Sequence, residues 1–187
     1  VGDKYEVFLN DEGIPRLRVS SLYRRLATHE GGEEAEARQY LQEKVRAAAW
    51  LIKSIHQRQQ TLFRVTQSIF KFQNDFLEYG VSQLKPMVLR DVAEDIGMHE
   101  STVSRATANK YVHTPQGLFE LKFFFQSGLK AGNGEDVASE TVKVKIRGII
   151  SGEDPRKPHS DQHIAGLLSK EAIDIARRTV AKYREAM

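Results

Sequence analysis

The sequence predicts a mainly α, multi-domain helical protein with a β-hairpin wing on its central unit. Three observations predict this. Residues 33–79 contain neither Gly nor Pro and repeat apolar side chains at helical spacing. Residues 89–107 fit a helix-turn-helix template. Residues 175–183 repeat the second half of that template inside a strongly basic stretch. The expected division is 1–82, 83–130 and 131–187, with an atypical helix-turn-helix closing the last.

Bulk properties narrow the classes. A chain of 187 residues suits one large or two to three small domains. The absence of Cys excludes disulfides and thiolate metal sites. No apolar run reaches membrane-spanning length and Val1 begins no signal-peptide pattern, so a cytoplasmic protein is expected. Lys and Arg exceed Asp and Glu by 13 to 11 up to Pro86 and by 15 to 14 beyond it. A nucleic-acid partner therefore requires positive charge concentrated locally.

The elements follow in order. Tyr5 to Leu9 and Leu17 to Val19 read as strand pieces around the turn residues Asn10 to Gly13 and Pro15. A lone hairpin is marginal, so the chain is expected to start partway through a domain. Leu41, Val45, Ala48, Ile52 and Ile55 form one apolar stripe, which Leu62, Val65, Ile69, Phe72 and Phe76 continue. A single helix over this span would be about 70 Å long. Two packed helices are expected instead, broken in "HQRQQT" (56–61), with Thr61 capping the second. Most of the stripe is expected to be core and the rest a docking face. Trp50 and the Phe-rich runs are expected in the core rather than as base-stacking platforms.

In "LRDVAEDIGMHESTVSRAT" (89–107), Val92, Ile96, Met98, Val103 and Ala106 supply the contacts between two helices, Leu89 to Ile96 and Glu100 to Ala108. Ala93 is small at the crossing, and Gly97 takes the positive φ of the turn. His99, Glu100, Ser101, Ser104 and Arg105 are left exposed. Arg105 suits a bidentate contact to guanine O6/N7, worth about 1–3 kcal/mol of discrimination. Ser101, Thr102 and Ser104 suit phosphates or bases, and the helix start suits a phosphate. "YVHTPQGLFELKFFF" (111–125) reads as a hairpin wing turning at Pro115-Gln116-Gly117, with Phe119, Leu121, Phe123 and Phe125 alternating. Lys110 beside it is placed to meet a phosphate.

"KAGNGED" (130–136) reads as a flexible connector, Ser139 to Ile150 as a helix with Val142, Ile146 and Ile149 on one face, and "SGEDPRKPHS" (151–160) as a linker. A supporting helix capped by Ser160 then carries Ile164 and Leu168 in the core, with Ala165 at the crossing. Its turn is longer than usual, and Ser169 stands in place of Gly. Overlaying "MHESTVSRA" (98–106) on "IARRTVAKY" (175–183) matches Met98 with Ile175, Thr102 with Thr179, Val103 with Val180 and Arg105 with Lys182. Arg177, Arg178, Lys182 and Arg184 crowd into eight residues without an acid. Ala176, Val180 and Tyr183 are expected to face the supporting helix while Arg177, Arg178 and Lys182 project into a groove, where two adjacent arginines suit two adjacent guanines. Arg184 is expected on a phosphate.

"ARRTVAKYRE" (176–185) is identical to the signature box of the bacterial sigma-54 (sigma-N) family of RNA polymerase sigma factors. "YLQEKVRAAAWLIKSIHQRQQTLFRV" resembles that family's core-binding region, and residues 89–125 resemble its helix-turn-helix and the segment after it. The resemblance implies that residues 1–82 bind core RNA polymerase, with Trp50, Lys53, Arg58 and Arg64 as contacts. It implies that the helix around Arg105, from His99 to Lys110, reads a downstream GC promoter element (named −12). The box, through Arg177, Arg178, Thr179, Lys182, Tyr183 and Arg184, then reads an upstream GG element (named −24). The family acts on double-stranded promoter DNA and awaits an AAA+ activator ATPase. Its glutamine-rich N-terminal region, its acidic linker and part of its core-binding domain have no counterpart here, and relatives continue past the box. Ala172 stands where relatives often have Gly, which predicts a strained or altered turn. The chain is thus expected to be a C-terminal fragment that binds DNA and does not answer activators.

The competing reading is a two-headed helix-turn-helix repressor without polymerase, in which residues 33–79 dimerise. An enzyme is disfavoured, since no Gly-rich phosphate loop or nucleophile–base set is present. His159 and His163 have the spacing of a metal pair, but further ligands are lacking nearby. Neither metal nor cofactor is expected.

Overall fold

A computed structural model describes residues 5–28, 35–129, 137–154 and 157–186; the expected connector 130–136 lies outside them. The chain divides into two compact units, Val7–Arg64 and Val65–Met187.

In the first unit, residues 7–20 form no strand. The expected turn is present: Asn10 Oδ1 accepts from Glu12 N at 2.8 Å, Ile14 N donates to Asp11 O, and Gly13 takes a φ of 84°. Its flanks do not pair, because an uncovered two-stranded hairpin gains too little burial to form. A helix that the sequence analysis did not anticipate follows, α1 (Ser21–Thr28). Leu22 and Leu26, one turn apart, were its signal.

The expected helix pair is one helix, α2 (Ala35–Phe72). "HQRQQT" does not break it, since it holds no Gly or Pro and glutamine is a good helix former. Thr61 caps nothing: its Oγ1 donates back to Gln57 O at 2.8 Å. The break comes at Gln73, before α3 (Asn74–Tyr79). The Gln73 side chain is fully buried and bonds the Lys85 backbone twice, through Nε2 to O at 2.7 Å and through Oε1 to N at 3.0 Å. The stripe splits likewise. Val65, Ile69 and Phe76 are buried, the stripe's members Leu41, Val45, Ala48, Ile52, Ile55 and Leu62 are half-buried, and Phe72 is exposed.

The second unit continues with a 3-10 turn (Gly80–Gln83), α4 (Leu89–Ile96), α5 (Glu100–Thr107) and the antiparallel pair β1 (Tyr111–Thr114) and β2 (Gly117–Glu120). The wing turns at Pro115-Gln116, but its second strand ends at Glu120. Residues 121–124 form a 3-10 helix, so Leu121 and Phe124, three apart, are buried together and the expected alternation fails. Phe124 makes edge contacts with Phe70 and Phe76 at 5.0 Å, and Phe119 packs on Phe76 at 5.2 Å. Each such pair adds about 0.5–1.5 kcal/mol beyond burial.

β3 (Gly128–Leu129) pairs antiparallel with β4 (Val137–Ala138), and α6 (Ser139–Ser151), α7 (Asp161–Lys170) and α8 (Arg177–Glu185) complete the unit. Val142, Ile146, Ile164, Ala165, Leu168, Ile173, Ile175 and Val180 form its second core. Buried Thr141 ties α6 to the first core, its Oγ1 within 3.1 Å of Val81 O and 3.2 Å of Leu84 O. Among the described residues no helix is long and apolar enough to cross a membrane.

Candidate nucleic-acid interface

Two helix pairs carry the predicted DNA-reading residues. In the first, Gly97 ends α4 in the left-handed region, at φ 64° and ψ 41°. Met98 N then donates to Ala93 O at 2.9 Å, closing a Schellman cap. His99 opens α5 by accepting from Ser101 N through Nδ1 at 3.3 Å. Val92, Ala93, Ile96 and Val103 are buried between the helices, and Met98 and Ala106 are half-buried. His99, Glu100, Ser101, Ser104 and Arg105 are exposed, Thr102 half-buried. Arg105 has no ion pair among the described residues. Lys110 is half-buried, its ammonium 3.3 Å from Asn109 O and 3.5 Å from Ala108 O at the C-terminal end of α5.

The surroundings hold this pair in place. Asp95 of α4 accepts from Ser68 Oγ at 2.7 Å and from Lys71 Nζ, both on α2. The Lys71 and Ser68 hydrogen bonds hold the Asp95 carboxyl below the usual aspartate range. Asn109 N donates to Glu120 of the wing, and at the wing's tip Gln116 Nε2 donates to Leu77 O at 3.1 Å. Asp95 and Gln116 were missed from sequence because each partner lies more than twenty positions away.

The second pair repeats the closure. Ile173 N donates to Leu168 O at 3.0 Å, and Ala172 occupies the left-handed position at φ 61°. Ser169, the expected turn residue, lies inside α7; the strain anticipated at Ala172 is present. Two extra residues then precede the next helix, since the left-handed residue stands two before the N-cap in the first pair and four before it in the second. Ser160 caps α7 as expected, accepting from His163 N at 3.2 Å. The rings of His159 and His163 lie 4.7 Å apart, and among the described residues no group of three metal-binding side chains occurs.

The overlay aligns Glu100 with Arg177, and each begins its helix. Val103 and Val180 are both fully buried. Ala176, expected in the contact, is the exposed N-cap; Ile173 and Ile175 fill the core instead, because the longer turn brings its own apolar residues inward. Arg177, Arg178 and Lys182 are exposed and without ion pairs among the described residues, and Thr179 is half-buried. Half-buried Tyr183 packs on the second core with Lys143 Nζ 5.5 Å from its ring centroid. Arg184 differs from expectation: its Nη1 donates to Asp161 Oδ1 at 2.8 Å and His159 O at 3.1 Å, tying the end of α8 to the start of α7. An Arg already committed to two acceptors is poorly available to a phosphate.

In the first unit, Trp50 is 70% exposed, against its expected place in the core, and Lys53, Arg58 and Arg64 are exposed too. At 100° per residue Trp50, Lys53 and Arg64 share one face of α2, and Arg58 lies off it.

Residues 38–187 match the family "Sigma-54, DNA binding domain". The chain belongs to the sigma-54 family. It is 45% identical to the RNA polymerase sigma-54 factor of Acinetobacter guillouiae over 99% of its length, and 43% identical to that of Azotobacter vinelandii over 99%. It spans only 38% and 36% of those two relatives. The crystal structure of Aquifex aeolicus sigmaN bound to promoter DNA is similar, with a TM-score of 0.57 and 35% identity over 95% of this chain and 52% of that one. Sigma-54 proteins are transcription initiation factors, not enzymes.

Proposed function

We propose that this sigma-54 chain reads promoter DNA with two helices, α5 on the downstream GC element and α8 on the upstream GG element. Residues 83–130 and 131–187 are the two reading domains. The observation carrying this proposal is the matched pair of helices, each set on an apolar turn and each presenting unpaired cations: Arg105 on α5, and Arg177, Arg178 and Lys182 on α8. A sigmaN relative bound to promoter DNA supports the reading. His99, Glu100, Ser101, Thr102 and Ser104 line the first reading surface with Lys110 at its edge. Thr179 accompanies the arginines of the second, with Tyr183 and Arg184 setting its angle.

Residues 1–82 engage core RNA polymerase in the cytoplasm, with Trp50, Lys53 and Arg64 on one face of α2, and an AAA+ activator ATPase acts on the full-length factor. The test is a titration on duplexes carrying the GG and GC elements one turn apart, about 34–36 Å, against duplexes half a turn longer. Two linked readers predict a large loss on the longer duplex. Equal binding refutes joint reading.

A further inference from the structure

The expected boundary between the two helix-turn-helix units falls in the connector 130–136. β3 and β4 flank that segment and pair with each other, Gly128 opposite Ala138 and Leu129 opposite Val137. Its two ends are therefore held side by side. A segment whose ends meet is not the link that sets a distance between the units.

The joint is the first turn of α6. Ser139 Oγ donates to Gln126 Oε1 at 2.8 Å. Gln126 is itself held by the first unit: its O accepts from Met87 N at 3.1 Å, and its Nε2 donates to Phe123 O at 2.8 Å. Two residues on, the hydroxyl of buried Thr141 reaches Val81 O at 3.1 Å and Leu84 O at 3.2 Å. Val81 O also accepts from Leu84 N, whereas among the described residues Leu84 O accepts from Thr141 alone. Leu84 is buried, so that hydroxyl satisfies an acceptor that water does not readily reach.

The same helix then enters the second core. Val142 and Ile146 are fully buried there with Ile164, Leu168 and Val180, and Leu129 packs against them from the other side of the boundary. Between Ser139 and Ile146 the helix holds neither Gly nor Pro, the usual causes of a kink. One stiff element is thus gripped at its start by the first unit and over its next turns by the second. We infer that Ser139 and Thr141 are positioning residues: they lock α6 to the first unit and so fix the distance and rotation between α5 and α8, which makes the spacing of two DNA elements a recognised feature. The inference rests on the two-reader proposal for its meaning on DNA and not for the joint itself.

The joint is tested without DNA. The chain has no Cys, so Ser104→Cys on α5 and Lys182→Cys on α8, both exposed, give two spin-label sites. Double electron–electron resonance reads the distance between them. The parent is expected to give one narrow distribution, and so is a variant with Gly-Ser-Gly-Ser inserted between Gly132 and Asn133. Thr141→Val strands Leu84 O, and Ser139→Ala/Thr141→Val is expected to broaden the distribution. Thr141→Ser, which keeps the hydroxyl, is expected to leave it narrow. A broad distribution in the parent, broadening by the insertion, or none in the double variant would each overturn the inference. Far-UV circular dichroism and the milder Ser139→Ala separate release of the joint from loss of fold.

The unlabelled chains are then titrated on duplexes whose GG and GC elements are moved one base pair apart. That step turns an element by about 35° and shifts it by about 3.4 Å. The parent and the insertion variant are expected to lose at least about tenfold, as for one mismatched contact. The double variant is expected to lose less, and an equal loss would remove the spacing role. If scrambling either element leaves parent binding unchanged, the two-reader proposal fails, and the resonance distances still decide the joint.

Discussion

The two helix-turn-helix units of this chain are built on one closure and differ in how they are charged. In both, a carbonyl near the end of the supporting helix, Ala93 O or Leu168 O, accepts from a residue beyond a left-handed turn, and a valine of the second helix is fully buried. The first unit has Gly97 in that turn, an N-cap side chain at His99, and one cation, Arg105, in α5. The second has Ala172 under strain, no side-chain cap, and three exposed cations on α8. Apolar packing therefore sets the architecture and leaves surface charge free to vary between the two units.

The comparison can be broken most forcefully at the core. Leu168→Ala empties a fully buried site in the second unit and is expected to cost about 2–5 kcal/mol, measured by denaturant unfolding. If instead only binding to the GG element changes, Leu168 is not the packing residue described here.

Charge comes next. Arg178→Ala is expected to lose about 1–3 kcal/mol of discrimination for the GG element, whereas Arg184→Ala is expected to destabilise the fold by about 1–3 kcal/mol. The salt slope of DNA binding tests the second assignment. It should fall by about one unit for a phosphate contact and stay unchanged for Arg184→Ala. A fallen slope would return Arg184 to the DNA surface.

The turns allow a reciprocal exchange. No atom lies within 4 Å of a Cβ added at Gly97, so Gly97→Ala costs conformational strain alone, about 1–2 kcal/mol. Ala172→Gly should recover about 1 kcal/mol in the second unit. Changes of the same sign in both variants would contradict the shared closure.

The smallest effect is acid dependence. The Asp95 carboxyl titrates below its ordinary value because Lys71 and Ser68 hydrogen-bond its charged form. Its contribution is therefore present above the unfolded aspartate value and lost as pH falls through the lower folded value. Unfolding followed across that acid range should show a slope that Asp95→Asn reduces. An unchanged slope would detach Asp95 from the support of α4.

Local signals made both helix-turn-helix units legible. Gly97, Ser160 and the apolar spacing of Val92, Ile96, Ile164 and Leu168 act within a turn or two of chain, so the supporting helices and the start of α5 stand where the sequence predicts. Where local signals were weak or absent, expectation failed. "HQRQQT" is polar but helical, and the chain breaks at Gln73 because a residue twelve positions away binds its side chain.

The sequence by itself determined the mainly helical class, both helix-turn-helix cores and the family, because caps, turns and periodicity act between near neighbours. Tertiary structure decided the rest. It gave Arg184 to Asp161, Asp95 to α2 and the wing's tip to α3. Those outcomes depend on which distant surfaces meet, and pairings over such separations leave no period in the chain.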